Sequence, residues 1–142
     1  MIEAGRQSAV DSRQSGESAG DGQIRSYRDL RVWQLSIELT VACYEATKTY
    51  PISETYGLTA QIRRSATSIA ANIAEGYGRE NRGSYLQFLR IAQGSLKELE
   101  THLIVSQRLG FLDATLEEAL LSRSENVGKM LRALIRRLEK AS

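Results

Sequence analysis

The sequence predicts an all-α domain folded as an antiparallel up-down four-helix bundle. From Tyr27 onward, apolar residues recur at spacings of three and four in four successive blocks, and no run alternates between apolar and polar residues. The links between the blocks are short, which favours antiparallel packing of neighbouring helices. With 42% apolar residues among 142, the chain can bury one sizeable core and fits a single domain.

Residues 1–23 precede these blocks and are predicted to form a disordered tail. They are rich in Gly, Ser and Gln, and their few apolar residues follow no helical or strand period. The bundle domain is expected to cover residues 24–142. The tail holds two Arg and four acidic residues, so it has a formal charge of −2, and the whole-chain charge of +2 leaves +4 on the bundle. That balance is mildly basic and is weak evidence of an anionic partner by itself.

The first predicted helix covers residues 28–49, and Pro51 stops it because proline disfavours helix in the residue before it. Its predicted core stripe consists of Leu30, Trp33, Ile37, Val41 and Tyr44. The second predicted helix covers residues 54–75 and ends at Gly76, a residue type suited to a left-handed C-cap. Its predicted core stripe consists of Leu58, Ile62, Ile69 and Ile73.

The third predicted helix begins near Asn81 and ends before Gly110, and the fourth begins at Asp113 or Thr115. Their core stripes consist of Tyr85, Leu89, Ala92, Leu96, Leu99 and Leu103 in the third helix and Leu116, Leu120, Val127, Leu131, Leu134 and Leu138 in the fourth. Gly94 and Gly128 lie inside these helices, where a glycine costs about 1 kcal/mol relative to alanine. Close helix crossings would explain both glycines, and tolerated imperfection is the alternative.

The first two predicted helices carry a second apolar face, opposite the core stripe. In a small bundle each helix has one face exposed to solvent. Helices whose residues are apolar or small on nearly every side are therefore expected to pack against other subunits as well. The chain is therefore predicted to form a homo-oligomer. The predicted interface residues are Val32, Leu35, Leu39 and Ala42 in the first helix and Thr67, Ala71 and Ala74 in the second. The alternative is that the small residues of the second helix are ordinary surface residues.

Few residues of the chain are suited to catalysis or metal binding. The single His, His102, has Leu99 three positions before it, so the Glu-x-x-His pairs of a ferritin-like metal bundle are missing. Glu98 could hydrogen-bond to His102 on the flank of the third helix. Cys43 is expected to be a small buried hydrophobe rather than a nucleophile. The sequence predicts neither an enzyme nor a metal or cofactor site.

The absence of a long apolar run argues against a membrane span, and a single Cys with no signal-peptide pattern favours a reducing cytoplasm. The expected compartment is therefore the cytoplasm, and no membrane partner is expected.

Basic residues are concentrated on the fourth helix and around the second and third. Lys129, Arg132, Arg136 and Lys140 fall on one face of the fourth helix, with Arg137 to the side, and this face could bind phosphates in a salt-sensitive way. The alternative is that this face is simply exposed to solvent. Acidic residues near the start of a helix and basic residues near its end are favoured by the helix dipole, and Glu125 can pair with Lys129. The predicted nucleic-acid-binding residues are Arg63, Arg64, Arg79, Arg82, Lys129, Arg132, Arg136 and Arg137. For the arginines around the second and third helices, salt bridges between subunits are the alternative to phosphate contacts.

Several motifs in series resemble a known family. They are YRDLRVWQ at 27–34, YGLTAQIRRS at 56–65, NIAEGYGR at 72–79, FLRIAQGS at 88–95 and ELET at 98–101. Together they resemble the four-helix-bundle proteins encoded in 23S rRNA intervening sequences, to which the accessory variability protein of diversity-generating retroelements is related. The resemblance implies a homopentameric barrel with no known enzymatic activity for most members. In the retroelement branch it also implies binding to nucleic acid and to a reverse transcriptase.

These observations lead to one expected function and two rivals. The expected function is a non-enzymatic oligomeric bundle that binds RNA or DNA through a basic surface. One rival is an accessory subunit of a retroelement reverse transcriptase. The other is a homo-oligomeric scaffold without an anionic ligand.

Overall fold

The computed structural model describes residues 23–141, and these form four α-helices with no strand among them. The helices are α1 (Arg31–Thr47), α2 (Leu58–Tyr77), α3 (Arg82–Arg108) and α4 (Ala114–Lys140). The all-α prediction and the four predicted helices are confirmed. The predicted tail, apart from Gln23, lies outside the described residues.

Helix ends follow the local capping chemistry. The side chain of Asn81 accepts a hydrogen bond of 2.8 Å from the backbone N–H of Ser84, and Asp113 accepts one of 2.8 Å from Leu116. Of the two predicted starts for α4, Asp113 is therefore the N-cap. Gly110 follows the end of α3 with a φ of 85°, a left-handed conformation that glycine adopts without strain.

The first two helices start later than predicted because short 3-10 turns precede them. Residues Tyr27–Asp29 form one turn and Ile52–Glu54 the other. The carboxylate of Glu54 then accepts a 3.0 Å hydrogen bond from the backbone N–H of Leu58, the first residue of α2. Hydrophobic period does not distinguish a 3-10 turn from a first helical turn, so the predicted helices began within these turns, at residues 28 and 54.

Neighbouring helices run antiparallel, as the contacts between them show. Thr47 at the end of α1 accepts a 2.9 Å hydrogen bond from Arg63 in the first half of α2, and Arg82 at the start of α3 donates to the carbonyl of Ala141 after α4 at 2.7 Å. α4 contacts α3 and α1, and α2 contacts the same two helices. As a result, α2 and α4 occupy diagonal corners of the bundle.

The predicted core stripes of α2, α3 and α4 are confirmed except at Leu116, which is exposed. In the predicted stripe of α1, Leu30 and Trp33 pack against the core, but its continuation from Ile37 to Tyr44 is wrong. In α1, Val32, Leu39 and Ala46 are buried, whereas Ile37 and Val41 are exposed. The predicted subunit stripe of α1 is thus the true core stripe. The buried side of α1 also carries small polar residues, which made it look less apolar than the opposite side. The hydroxyls of Ser36 and Thr47, for example, are satisfied by carbonyls one turn back, at 2.8 and 2.9 Å.

Two glycines allow α3 to approach its neighbours closely. A Cβ added to Gly76 of α2 would lie 2.8 Å from Phe88 Cβ, and one added to Gly128 of α4 would lie 3.3 Å from Leu96 Cδ2. The crossing predicted at Gly128 is confirmed. Gly76 lies inside α2 rather than at its C-cap, because α2 continues to Tyr77. Gly94 has no atom within 4 Å of an added Cβ, so no crossing between described helices explains it.

Within residues 23–141, no helix combines the length and the apolar content that crossing a bilayer requires.

Candidate functional site

A row of cations lies on the outer surface of the C-terminal half of α4. Lys129, Arg132, Arg136 and Lys140 follow one another at spacings of three and four, and all four are exposed. We call these four residues the basic strip. The eleven positions from its first to its last residue rise about 16 Å at 1.5 Å per residue.

No residue of the basic strip forms a salt bridge within the described chain. The predicted pair between Glu125 and Lys129 is not formed. These charges therefore remain available to an external anion, and each phosphate they contact would release counterions and add salt-sensitive affinity.

Arg137 belongs to a different side of α4. It lies close enough to Tyr85 of α3 to influence that side chain: burial and the neighbouring Tyr77 raise the pKa of Tyr85 to about 12, and the charge of Arg137 acts in the opposite direction. The phenol of Tyr85 therefore stays neutral. Arg137 is exposed, but it does not extend the basic strip.

Two of the other predicted cations lie on α2 and contact side chains of the neighbouring helices α1 and α3. Arg63 donates from Nε to Thr47 Oγ1 at 2.9 Å, and its guanidinium lies over the Tyr44 ring, 4.5 Å from the centroid. Arg64 pairs with Glu98 of α3 at 2.5 Å. Both lie on the helix diagonal to α4, so the structure does not bring them together with the basic strip.

The remaining two predicted cations lie near the start of α3. Arg79 pairs with Glu75 at 3.0 Å and its guanidinium lies 4.9 Å from the centroid of the Phe88 ring. Arg82 donates to the carbonyl of Ala141, just after the basic strip. This bond uses one of the five N–H donors of the Arg82 guanidinium and holds its charge beside the end of the basic strip.

One further cation that the sequence analysis did not select lies next to the basic strip. Lys97 of α3 and Arg132 of α4 line the same groove between these helices, which has a volume of about 320 Å³. Helical spacing could have grouped Lys97 with Glu100, one turn away, and with Arg90, two turns away. In the structure Arg90 pairs with Glu139 of α4. All three mark the flank of α3 that faces α4.

The predicted interface residues fall into two groups. Val32 and Leu39 are 4% and 0% exposed in the single chain, so they have no surface to offer a partner and their assignment to an interface is wrong. Leu35 and Ala42 are half-buried and pack against the core. Thr67 and Ala71 of α2 are exposed and Ala74 is half-buried.

Apolar residues of α1 lie exposed beside the outer surface of α2. Ile37, Val41 and Tyr44 are 37%, 56% and 40% exposed. The contact of Arg63 with the Tyr44 ring places this stripe next to Thr67, whose hydroxyl donates to the carbonyl of Arg63. We call Ile37, Val41, Tyr44, Thr67 and Ala71 the outer apolar face.

Nucleophilic and metal-binding groups do not converge in the region that the structure describes. Cys43 is fully buried, and burial raises the pKa of its thiol to about 12, so it stays protonated. His102 Nε2 lies 3.6 Å from Glu98 Oε2, too far for the expected hydrogen bond. No group of three His, Cys, Asp or Glu side chains among residues 23–141 could hold a metal ion.

Comparisons with known proteins agree on one family. The family model described as "23S rRNA-intervening sequence protein" matches residues 28–133. Among five matching chains of solved structures, a crystal structure from Bacteroides thetaiotaomicron is 28% identical, with a TM-score of 0.65 over 73% of this chain and 97% of that chain. It is described as a protein with unknown function from the S23 ribosomal protein family. None of the curated proteins matches the chain.

Proposed function

Because the chain belongs to the 23S rRNA-intervening sequence protein family, we propose that it is a non-enzymatic homo-oligomer that binds RNA or DNA phosphates through the basic strip. The observation that carries this proposal is the row of four exposed cations on α4 with no carboxylate partner in the described chain. Neither the description of the family nor that of the structural neighbour names a reaction.

Self-association is supported by the outer apolar face. The side chain of Val41 is 56% exposed in the single chain. The segment 65–74 of α2 contains no charged residue. Contiguous apolar surface of this kind marks sites of protein contact. Gly94 of α3 adds a second argument, because no neighbouring atom of the described residues lies within 4 Å of a Cβ added there, and the close approach of another subunit would give this mid-helix glycine a role. The family resemblance implies five subunits.

An arginine placed on the outer apolar face tests this assembly. Ala71→Arg puts a charge where we expect an apolar contact, and Ala119→Arg, at an exposed helical alanine of α4, is the matched control. Light scattering coupled to gel filtration should give about 79 kDa for five chains of 15.8 kDa in the parent and the control, and a smaller mass for Ala71→Arg. A monomeric parent at micromolar concentration would disprove the assembly.

Phosphate binding is tested by fluorescence anisotropy with a structured RNA across a salt series. The logarithm of affinity falls with the logarithm of salt by about 0.9 for each phosphate contacted on a duplex. The double variant Arg132→Ala plus Arg136→Ala should therefore reduce this slope by about 2. Lys48→Ala plus Arg108→Ala removes the same charge at the far end of the bundle and should leave the slope nearly unchanged.

Absent or salt-insensitive binding would favour the rival in which assembly is the chain's biochemical property. Equal slopes for the two double variants would show that net charge, and not the basic strip, attracts the nucleic acid.

A reverse transcriptase as partner stays a prediction of the family resemblance. A neighbouring reverse-transcriptase gene accompanied by a variable repeat would support it. Cytoplasmic location also stays a prediction, and the fully buried free thiol of Cys43 is compatible with a reducing compartment.

A further inference from the structure

We propose that the groove between α3 and α4 receives one unpaired base of the bound nucleic acid and prefers a base that carries an amino group. This inference rests on the proposed function, because the groove and the basic strip share Arg132. A strand whose phosphates lie along the basic strip therefore passes the mouth of the groove.

The size of the groove and its apolar wall suit a planar base. Its volume is about 320 Å³, at the lower end of the range for small-molecule sites. Small residues of α4, Ser124 and Gly128, give it depth. Ile104 of α3 and Leu121 of α4 line it, and Ile104 is 40% exposed. A base lying against these two side chains would cover apolar surface that the single chain leaves in water.

A polar side chain on the lining can hydrogen-bond to the edge of the base. Glu100 is held in place because it accepts a hydrogen bond from the buried hydroxyl of Ser124 and one of 3.1 Å from Lys97. A carboxylate offers about four acceptor sites, so this fixed side chain, 20% exposed, can accept two more N–H groups. Exocyclic amino groups of bases donate such bonds, and acidic side chains read cytosine in this way.

Charge complementarity also favours a nucleotide over a simple ion. The lining holds two cations, Lys97 and Arg132, and two carboxylates, Glu100 and Glu125. An anion alone would meet the carboxylates, and a cation alone would meet Lys97 and Arg132. A nucleotide carries both a phosphate for the cations and N–H donors for the carboxylate.

The experiment compares RNA hairpins of one length by fluorescence anisotropy at a fixed salt concentration. All the hairpins share the same loop of uridines, which lack an exocyclic amino group; one has a fully paired stem, and the others carry a single bulged cytidine or a single bulged uridine in the stem. We expect the cytidine bulge to bind about tenfold more tightly than the other two, the discrimination of one good base-edge contact.

Two variants connect that preference to the groove. Glu100→Gln keeps an oxygen that accepts from Ser124 but presents an amide donor, so the preference for cytidine over uridine should disappear. Glu118→Gln, at an exposed position of α4, is its control. Ile104→Trp fills the groove and should remove the preference for the cytidine bulge, whereas Val105→Trp, at the adjacent and similarly exposed position, should keep it.

Equal binding of bulged and paired hairpins, with the salt slope of the basic strip intact, would overturn the base pocket and leave the proposed function standing. A cytidine preference that survives both Glu100→Gln and Ile104→Trp would also overturn it. No binding of any hairpin at low salt would instead defeat the proposed function itself.

Discussion

The crossing of α2 and α3 at Gly76 gives a sharp test of the packing described above. Substituting Gly76→Ala adds one methyl group to a helix interior, a change that ordinarily stabilises a helix by about 1 kcal/mol. Here the new Cβ would lie 2.8 Å from Phe88 Cβ and 3.0 Å from Tyr85 Cδ1. Phe88 Cβ is attached directly to the backbone of α3, so a rotamer change cannot relieve the contact and the helices must separate.

The net effect on the free energy of unfolding is the cost of the close contact minus the gain in helix propensity. Overpacking of a close contact costs about 1 to 3 kcal/mol, and a clash with an atom fixed to the backbone belongs at the upper end. After the gain in helix propensity of about 1 kcal/mol, Gly76→Ala should lower the free energy of unfolding by about 2 kcal/mol. Urea unfolding followed by helical circular dichroism measures this difference, at one protein concentration because the proposed association of subunits would make the midpoint depend on concentration.

Gly83→Ala is the matched control. Gly83 lies in α3 and is exposed, and an added Cβ would meet only Asn81 Oδ1, at 3.4 Å. This variant should match the parent or unfold at slightly higher urea. If Gly76→Ala were as stable as Gly83→Ala, the close approach of α2 and α3 at this position would be wrong.

Three further predictions concern single side chains. Arg63→Ala removes a hydrogen bond and a ring contact between α1 and α2, so urea unfolding should show a loss of about 1.5 kcal/mol while the salt slope for RNA stays that of the parent. Because the hydrogen bond from Arg64 holds the pKa of Glu98 below its ordinary value, the pair stabilises the fold at neutral pH and this contribution is lost as the pH falls through the folded pKa. Arg64→Ala should therefore lose less stability than the parent between about pH 6 and about pH 3, and an equal loss would contradict the pairing. Cys43, with its raised pKa and full burial, should react with a thiol reagent only after unfolding, and fast labelling of the native protein would contradict its burial.

Period and capping residues predicted most of the fold. Asn81, Asp113 and Gly110 mark helix ends through chemistry that is local in sequence, and the structure uses all three. The core stripe of α1 could not be predicted in this way, because two apolar stripes lie on nearly opposite sides and period cannot tell which one faces inward. The choice is made by the partners, among them Ala66 of α2, whose carbonyl accepts from Thr40.

The candidate site was predictable only where its residues lie on one helix. Lys129, Arg132 and Arg136 share a face by helical spacing alone, and the structure keeps them exposed. The fate of Arg63 and Arg64 depends on contacts across helices, with Thr47 and Glu98 in turn. The sequence left phosphate contacts and subunit salt bridges both open for these two cations, and their partners within the chain, 16 and 34 residues away, could not be found from helical spacing.

The diagonal arrangement of α2 and α4 links assembly to binding. In a ring, the outer apolar face of one subunit packs against a different face of the next. Because α2 lies diagonal to α4, covering the outer apolar face does not itself cover the basic strip. One basic strip can neutralise only a few phosphates, so its affinity at physiological salt would be weak. Repeating it around a ring makes each later contact intramolecular and strengthens binding to a long nucleic acid more than to a short one. The apolar face that permits assembly would then set the length of nucleic acid that the protein binds well.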